Sequence, residues 1–101
     1  MSQHFSNIRA VGIPWYRRED FPALLKVFED GAAFDSFEQW LTRAEEVERK
    51  FQRAGHVVVR AYLGPGEFAR WCLRNGVDAD RESRGDFAIE VVEQKYGRNQ
   101  S

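Results

Sequence analysis

Only one cysteine, Cys72, stands in 101 residues. No disulfide can form within the chain, which points to a reducing compartment. No apolar stretch approaches the roughly 18 residues that a membrane-crossing helix needs. The opening Met1–Asn7 is polar around Phe5, without an apolar run behind a basic start, so no secretory signal is read and a cytoplasmic protein is expected. Charge of one sign is also missing: fifteen Lys and Arg face sixteen Asp and Glu, for a formal net charge of −1. A domain that grips nucleic acid through many phosphates carries a basic surplus, so nucleic acid is not an expected partner. Twelve of the fifteen basic residues are Arg; without a charge excess, the bland account is codon usage in a GC-rich genome. No repeat, low-complexity tract or linker interrupts the chain. It reads as one domain over 1–101, with loose ends at 1–4 and 98–101.

What the sequence has in quantity is aromatic rings: eight Phe, three Trp and three Tyr within a 43% apolar composition. That supports one aromatic-rich core and argues against disorder. Residues 5–13 hold a weak extended pattern, with Val11 and Ile13 alternating around Gly12, and Pro14 keeps Ile13 out of helical geometry. A first helix is expected from about Arg17 to Phe28. Its acidic start (Glu19, Asp20) suits the helix dipole, Pro22 sits in the first turn, and Phe21, Leu24, Leu25 and Phe28 share one face.

The second helix, about Ser36 to Ala54, has the strongest pattern. Phe37, Trp40, Ala44, Val47, Phe51 and Ala54 draw one apolar seam along about 28 Å. Asp35 and Glu38 suggest a capping box, and Glu45/Arg49 and Glu46/Lys50 suggest ion pairs on the outer face. After Gly55 the segment His56–Leu63 is β-branched and aromatic and reads as a strand. Val57, Val59, Ala61 and Leu63 point to one side, His56, Val58, Arg60 and Tyr62 to the other. A third helix, about Pro65 to Asn75, buries Phe68, Trp71 and Cys72, and Gly76 closes it. A fourth, capped by Asp80, runs from Arg81 to Tyr96 with Phe87, Ala88, Val91 and Val92 inward, and Gly97 ends it. The expected fold is α+β or small α/β: about four helices on one face of a small sheet of one or two strands, in the order β-α-α-β-α-α. A lone strand cannot satisfy its own backbone. Strand 56–63 therefore needs the N-terminal arm or its own copy in a homodimer.

Few residues suggest chemistry. Gly64-Pro65-Gly66 joins a strand to a helix start, where free amides can hold an anion. The spacing matches neither a dinucleotide loop nor a P-loop, and Glu67 would repel an anion there. His56 lacks a readable acid or nucleophile partner, and with His4 and one Cys no zinc spacing exists. Cys72 is mid-helix on an inward side and reads as packing. Glu19/Asp20 and Asp78/Asp80 sit where helix starts favour acids. No catalytic residue, metal or cofactor is expected. Trp15-Tyr16-Arg17-Arg18 is the most unusual stretch. It reads first as a plug locking the arm onto the first helix, and second as a recognition surface, since Trp, Tyr and Arg dominate interface energetics.

Ile13-Pro14-Trp15-Tyr16-Arg17-Arg18-Glu19-Asp20-Phe21-Pro22-Ala23-Leu24-Leu25, with the later Glu67-Phe68-Ala69-Arg70-Trp71-Cys72, resembles small bacterial proteins of unknown function. The resemblance covers most of the chain. It implies a bacterial, cytoplasmic setting and brings no activity, cofactor or catalytic residue. Two functions are expected in competition. One is a non-enzymatic interaction module, self-associating through strand 56–63 or the N-terminal arm, with His56, Arg60, Tyr62 and the Trp15–Tyr16 cluster as its surface. The other is a small-ligand or anion-binding protein, or a minor enzyme, using the Gly64–Gly66 amides with Arg17, Arg60 or His56.

Overall fold

The computed structural model describes residues 9–96; His4, Gly97 and the termini expected to be loose lie outside the described residues. The elements follow in the expected order: β1 (Ala10–Trp15), α1 (Phe21–Val27), α2 (Phe37–Arg53), β2 (Val57–Tyr62), α3 (Pro65–Asn75) and α4 (Arg81–Tyr96). Short 3₁₀ turns at Arg18–Asp20 and Gly31–Ala33 flank α1. The chain is a small α+β fold with four helices and a two-stranded sheet.

The N-terminal arm supplies the partner that strand 56–63 needs. β1 and β2 pair in parallel, with Gly12 beside Val59, Ile13 beside Arg60 and Trp15 beside Tyr62. A parallel pair requires a long crossover, and α1 with α2 provide it. Parallel sheets need cover on both faces, and this one has it. Gly12 lies under α4: a Cβ there would stand 2.5 Å from the Ala88 carbonyl oxygen and 2.7 Å from Val92 Cγ2. Only glycine lets strand and helix approach so closely. Trp15, three positions on and therefore pointing the opposite way, meets Trp40 of α2 edge to face at 5.4 Å. The helices thus divide between the two faces, where a single covered face was expected, because a ribbon of two strands leaves neither face able to stay dry.

Bonds at both ends of the ladder fix the strand parity. Val57 N–H donates to Arg9 and Leu63 N–H to Trp15, so odd-numbered residues of each strand face the other strand. Even-numbered backbone groups point to the outer edges: Ala10, Gly12 and Pro14 on β1; Val58, Arg60 and Tyr62 on β2. Pro14 has no amide hydrogen to offer, and it sits where a central strand would not tolerate it but an edge does.

The core is a chain of rings. Tyr16 stacks on Trp40 at 4.5 Å, Phe28 meets Phe68 edge to face at 5.9 Å, and Phe87 stands edge-on to Phe68 at 5.6 Å. α2 starts one residue later than the acidic pattern suggested. Ser36 accepts from Gln39 N–H at 3.1 Å, and Gln39 Oε1 accepts from Ser36 N–H at 3.2 Å. Ser36 and Gln39 form the capping box, not Asp35 and Glu38, because a hydroxyl three residues before a glutamine gives both reciprocal bonds. The α2 seam is buried only in its first half. Trp40 and Ala44 are covered, whereas Val47 is 42% exposed. Val57, expected to point inward, is also exposed.

Candidate functional site

Four of the residues singled out in the sequence meet on the α2 side of the sheet. The register puts Tyr62 beside Trp15 and Arg60 beside Ile13. The Arg60 guanidinium lies 4.1 Å over the Trp15 ring, and the Arg17 guanidinium lies 4.4 Å over the Tyr62 ring. Arg60 also donates from Nε and Nη2 to the two carboxylate oxygens of Glu48 on α2, each at 2.8 Å. That fork holds the Glu48 carboxyl below its ordinary pKa and the guanidinium above its own. The result is an alternating ladder of cations and rings along β2. Arg60 and Tyr62 stay exposed on it, and their backbone groups lie on the open edge.

Trp15 and Tyr16 are themselves buried, at 3% and 4% exposure. Trp15 is roofed by Arg60, and Tyr16 packs among the rings of Phe21, Phe28, Phe34 and Trp40. Both rings therefore act as packing, and the outward groups of this stretch are the guanidiniums of Arg17 and Arg18. Burial drives the Tyr16 phenol up to about 12.

His56 stands apart at the other end of β2, edge-on to Phe51 at 5.8 Å. Its Nδ1 is buried with no hydrogen-bond partner among the described residues. The Gly64–Gly66 turn is a third separate place. Gly64 is the N-cap of α3 and Pro65 its first residue. The Glu67 carboxylate occupies the space beside Gly64, and the Arg70 side chain the space beside Gly66. An acid in the first turn already answers the positive end of the helix. Cys72 is buried, and that burial pushes its thiol pKa up, which suits packing and not nucleophilic attack.

Two groups that the sequence did not mark emerge from the fold. Arg84 of α4 is buried, its side chain 7% exposed, and it grips both oxygens of Asp30 at 2.8 and 2.9 Å. The guanidinium lies 4.4 Å over Phe28, with the Tyr16 phenol beside it. Hydrogen bonding from Arg84 holds the Asp30 carboxyl below its usual value. A signal for Arg84 existed: it stands three and four residues before Phe87 and Ala88, on the inward stripe of α4. Its partner, 54 positions away, had none. The Glu29 N–H donates to the Ala79 carbonyl at 2.8 Å and ties the loop carrying Asp30 to the start of α4.

Glu29, Asp78 and Asp80 gather carboxylate oxygens within 4.8 Å of one another, the one group among the described residues spaced to hold a cation. The Asp78 charge raises the Glu29 pKa. Asp80 is engaged in capping α4, accepting from Ser83 N–H at 2.9 Å, as its position suggested. No helix among the described residues is long and apolar enough to cross a membrane.

No curated protein and no solved structure matches the chain. One family does: a domain of unknown function (DUF8829), matched over residues 8–97. That span takes in both strands, all four helices and every group described above, so the chain belongs to this family of uncharacterised domains.

Proposed function

We propose that this domain is a non-enzymatic interaction module that self-associates through the outer edge of β2. The carrying observation is the difference between the two sheet edges. On β1, Pro14 removes a donor from the outer edge. On β2, Val58, Arg60 and Tyr62 direct backbone donors and acceptors outward with no proline among them, and no further strand pairs there among the described residues. Natural proteins blunt edges they do not use. An unblunted edge is self-complementary when a second copy approaches antiparallel across a two-fold axis. Centred on Arg60, such pairing places Tyr62 opposite the second copy's Val58, a favourable aromatic–β-branched pair. Each Arg60 arrives with its charge already answered by Glu48. The product is a four-stranded sheet running through both copies. The single buried cysteine and the resemblance to bacterial proteins support a cytoplasmic, bacterial setting for this module.

Light scattering coupled to size exclusion tests the proposal. The native chain is expected as a dimer at micromolar concentration. Val58→Pro deletes an outward donor while sparing the β1–β2 ladder, and Tyr62→Lys adds a charge to the edge; both are expected as folded monomers. A native chain that stays monomeric on concentration, or dimers that survive both substitutions, would refute it. The competing anion site at Gly64–Gly66 has less support, because Glu67 and Arg70 fill that turn.

A further inference from the structure

A cleft of about 500 Å³ opens beyond the outer edge of β1, between α2 and α4. That size falls within the roughly 300–1,000 Å³ of small-molecule sites. Each wall is one helical stripe at i, i+3, i+4, i+7 spacing: Trp40, Arg43, Ala44 and Val47 from α2, and Arg81, Arg84, Gly85 and Ala88 from α4, all but Ala88 lining the space. Each stripe sets a guanidinium beside a small residue. Ile13 and Phe34 add apolar surface.

The charges do not balance. Arg43, Arg81 and Arg84 line the cleft against one carboxylate, Asp30, in a chain whose net charge is −1. Asp30 is consumed by Arg84. Arg43 reaches Asp35 only at 3.7 Å, with both side chains more than half exposed, and Arg81 has no ion pair among the described residues. Two loosely held guanidiniums therefore stand at the rim of an aromatic and aliphatic cavity, Arg43 met only by the exposed Asp35 and Arg81 only by the longer-range charge of Asp30.

Gly85 is an independent sign. A glycine inside a helix costs about 1 kcal/mol relative to alanine. Gly12 is explained by the backbone pressed against it, but a Cβ on Gly85 would meet nothing within 4 Å. The missing side chain serves no packing contact; its effect is to keep the cleft wall clear between Arg81 and Ala88.

The geometry points to a ligand site in this cleft for a small hydrophobic monocarboxylate, with its alkyl or aryl body against Trp40, Phe34 and Ile13 and its carboxylate on Arg43 and Arg81. Planar guanidinium forks match a carboxylate in two-point geometry, and the aromatic walls take the body by burial. The site lies on the β1 side of the molecule and stands or falls independently of pairing along β2.

Titration of the full chain with octanoate and 3-phenylpropionate, followed by calorimetry and backbone amide shifts, tests the site. Saturable binding of at least one acid is expected, with shifts centred on Val47 and Gly85. Octan-1-ol is expected about tenfold weaker, the equivalent of one charge-assisted contact, and octylammonium is expected not to bind. Gly85→Leu should abolish binding while leaving the melting temperature unchanged or raised. Val47→Trp, at an exposed position on the mouth, should do the same if Gly85→Leu fails to fold. Arg43→Gln with Arg81→Gln should weaken the acids to the level of the alcohol. No saturation by either acid, octylammonium binding as well as octanoate, or binding that survives both the Gly85→Leu and Val47→Trp substitutions would each overturn the assignment.

Discussion

Replacing Asp30 with alanine isolates the most consequential polar contact in the fold. The substitution removes both oxygens from a guanidinium that is 7% exposed and lies over Phe28. Breaking a buried ion pair from one side typically costs about 3–5 kcal/mol, because a charge is left behind without a partner. Asp30 itself is 39% exposed, so water reaches one side of the gap and the expected cost falls to about 2–3 kcal/mol. Removing the other partner should be cheaper. Arg84→Met keeps an apolar stem over the ring and leaves Asp30 free to hydrate, for about 1 kcal/mol. The double variant should then cost little more than Arg84→Met alone, about 2 kcal/mol less than the sum of the single changes.

Urea denaturation of the four proteins measures this cycle directly. A pH series supplies a second readout. The folded Asp30 carboxyl lies below its ordinary value, so its contribution is complete above the unfolded pKa, about 3.9, and is lost as pH falls through the lower folded value. Asp30→Ala should lack that part of the acid loss. An Asp30→Ala protein within about 0.5 kcal/mol of the native chain, the level of an exposed surface pair, or strictly additive single effects, would refute the reasoning.

Gly12→Ala forces a methyl group into the 2.5 Å approach to the Ala88 carbonyl, an overpacking of about 1–3 kcal/mol; thermal melting should drop by at least about 4 °C, and an unchanged melt would show that α4 can slide away at no cost. Tyr16 gives an alkaline signature. Its folded pKa is raised to about 12 from about 10 unfolded, so its contribution is full below pH about 10 and is lost as pH climbs from there through the folded value. The amplitude is about 3 kcal/mol at two units of separation. Tyr16→Phe should flatten the fall in melting temperature over that window, and equal slopes in the two proteins would sink the idea.

The sequence was informative wherever the physics was local. The spans of α2, α3 and α4 followed from apolar spacing, whereas α1 begins at Phe21 after a 3₁₀ turn and not at about Arg17; the β2 strand followed from its β-branched run, and the burial of Phe68, Trp71 and Phe87 from periodicity. The α2 cap slipped by one residue because two overlapping pairs, Asp35/Glu38 and Ser36/Gln39, satisfy similar rules, and only the bonds made distinguish them. The ion pairs that α2 makes among the described residues are others than the Glu45/Arg49 and Glu46/Lys50 pairs expected on its outer face: Glu48 with Arg60, Arg43 with Asp35 and Glu38 with Arg18. The burial of Tyr16 and the Asp30–Arg84 fork depend on which elements meet, and no spacing rule reports that for residues 54 positions apart. The cleft was illegible for the same reason. Its two walls come from α2 and α4, and the spacing within either helix does not report that the other stands across from it.

The close seating of Gly12 beneath Ala88 has a temporal consequence. The strand formed near the beginning of the chain is roofed by the helix formed near its end. During synthesis Ala10–Trp15 therefore keeps its Gly12 side bare until α4 has been made, and that face of the sheet is closed only by the last helix.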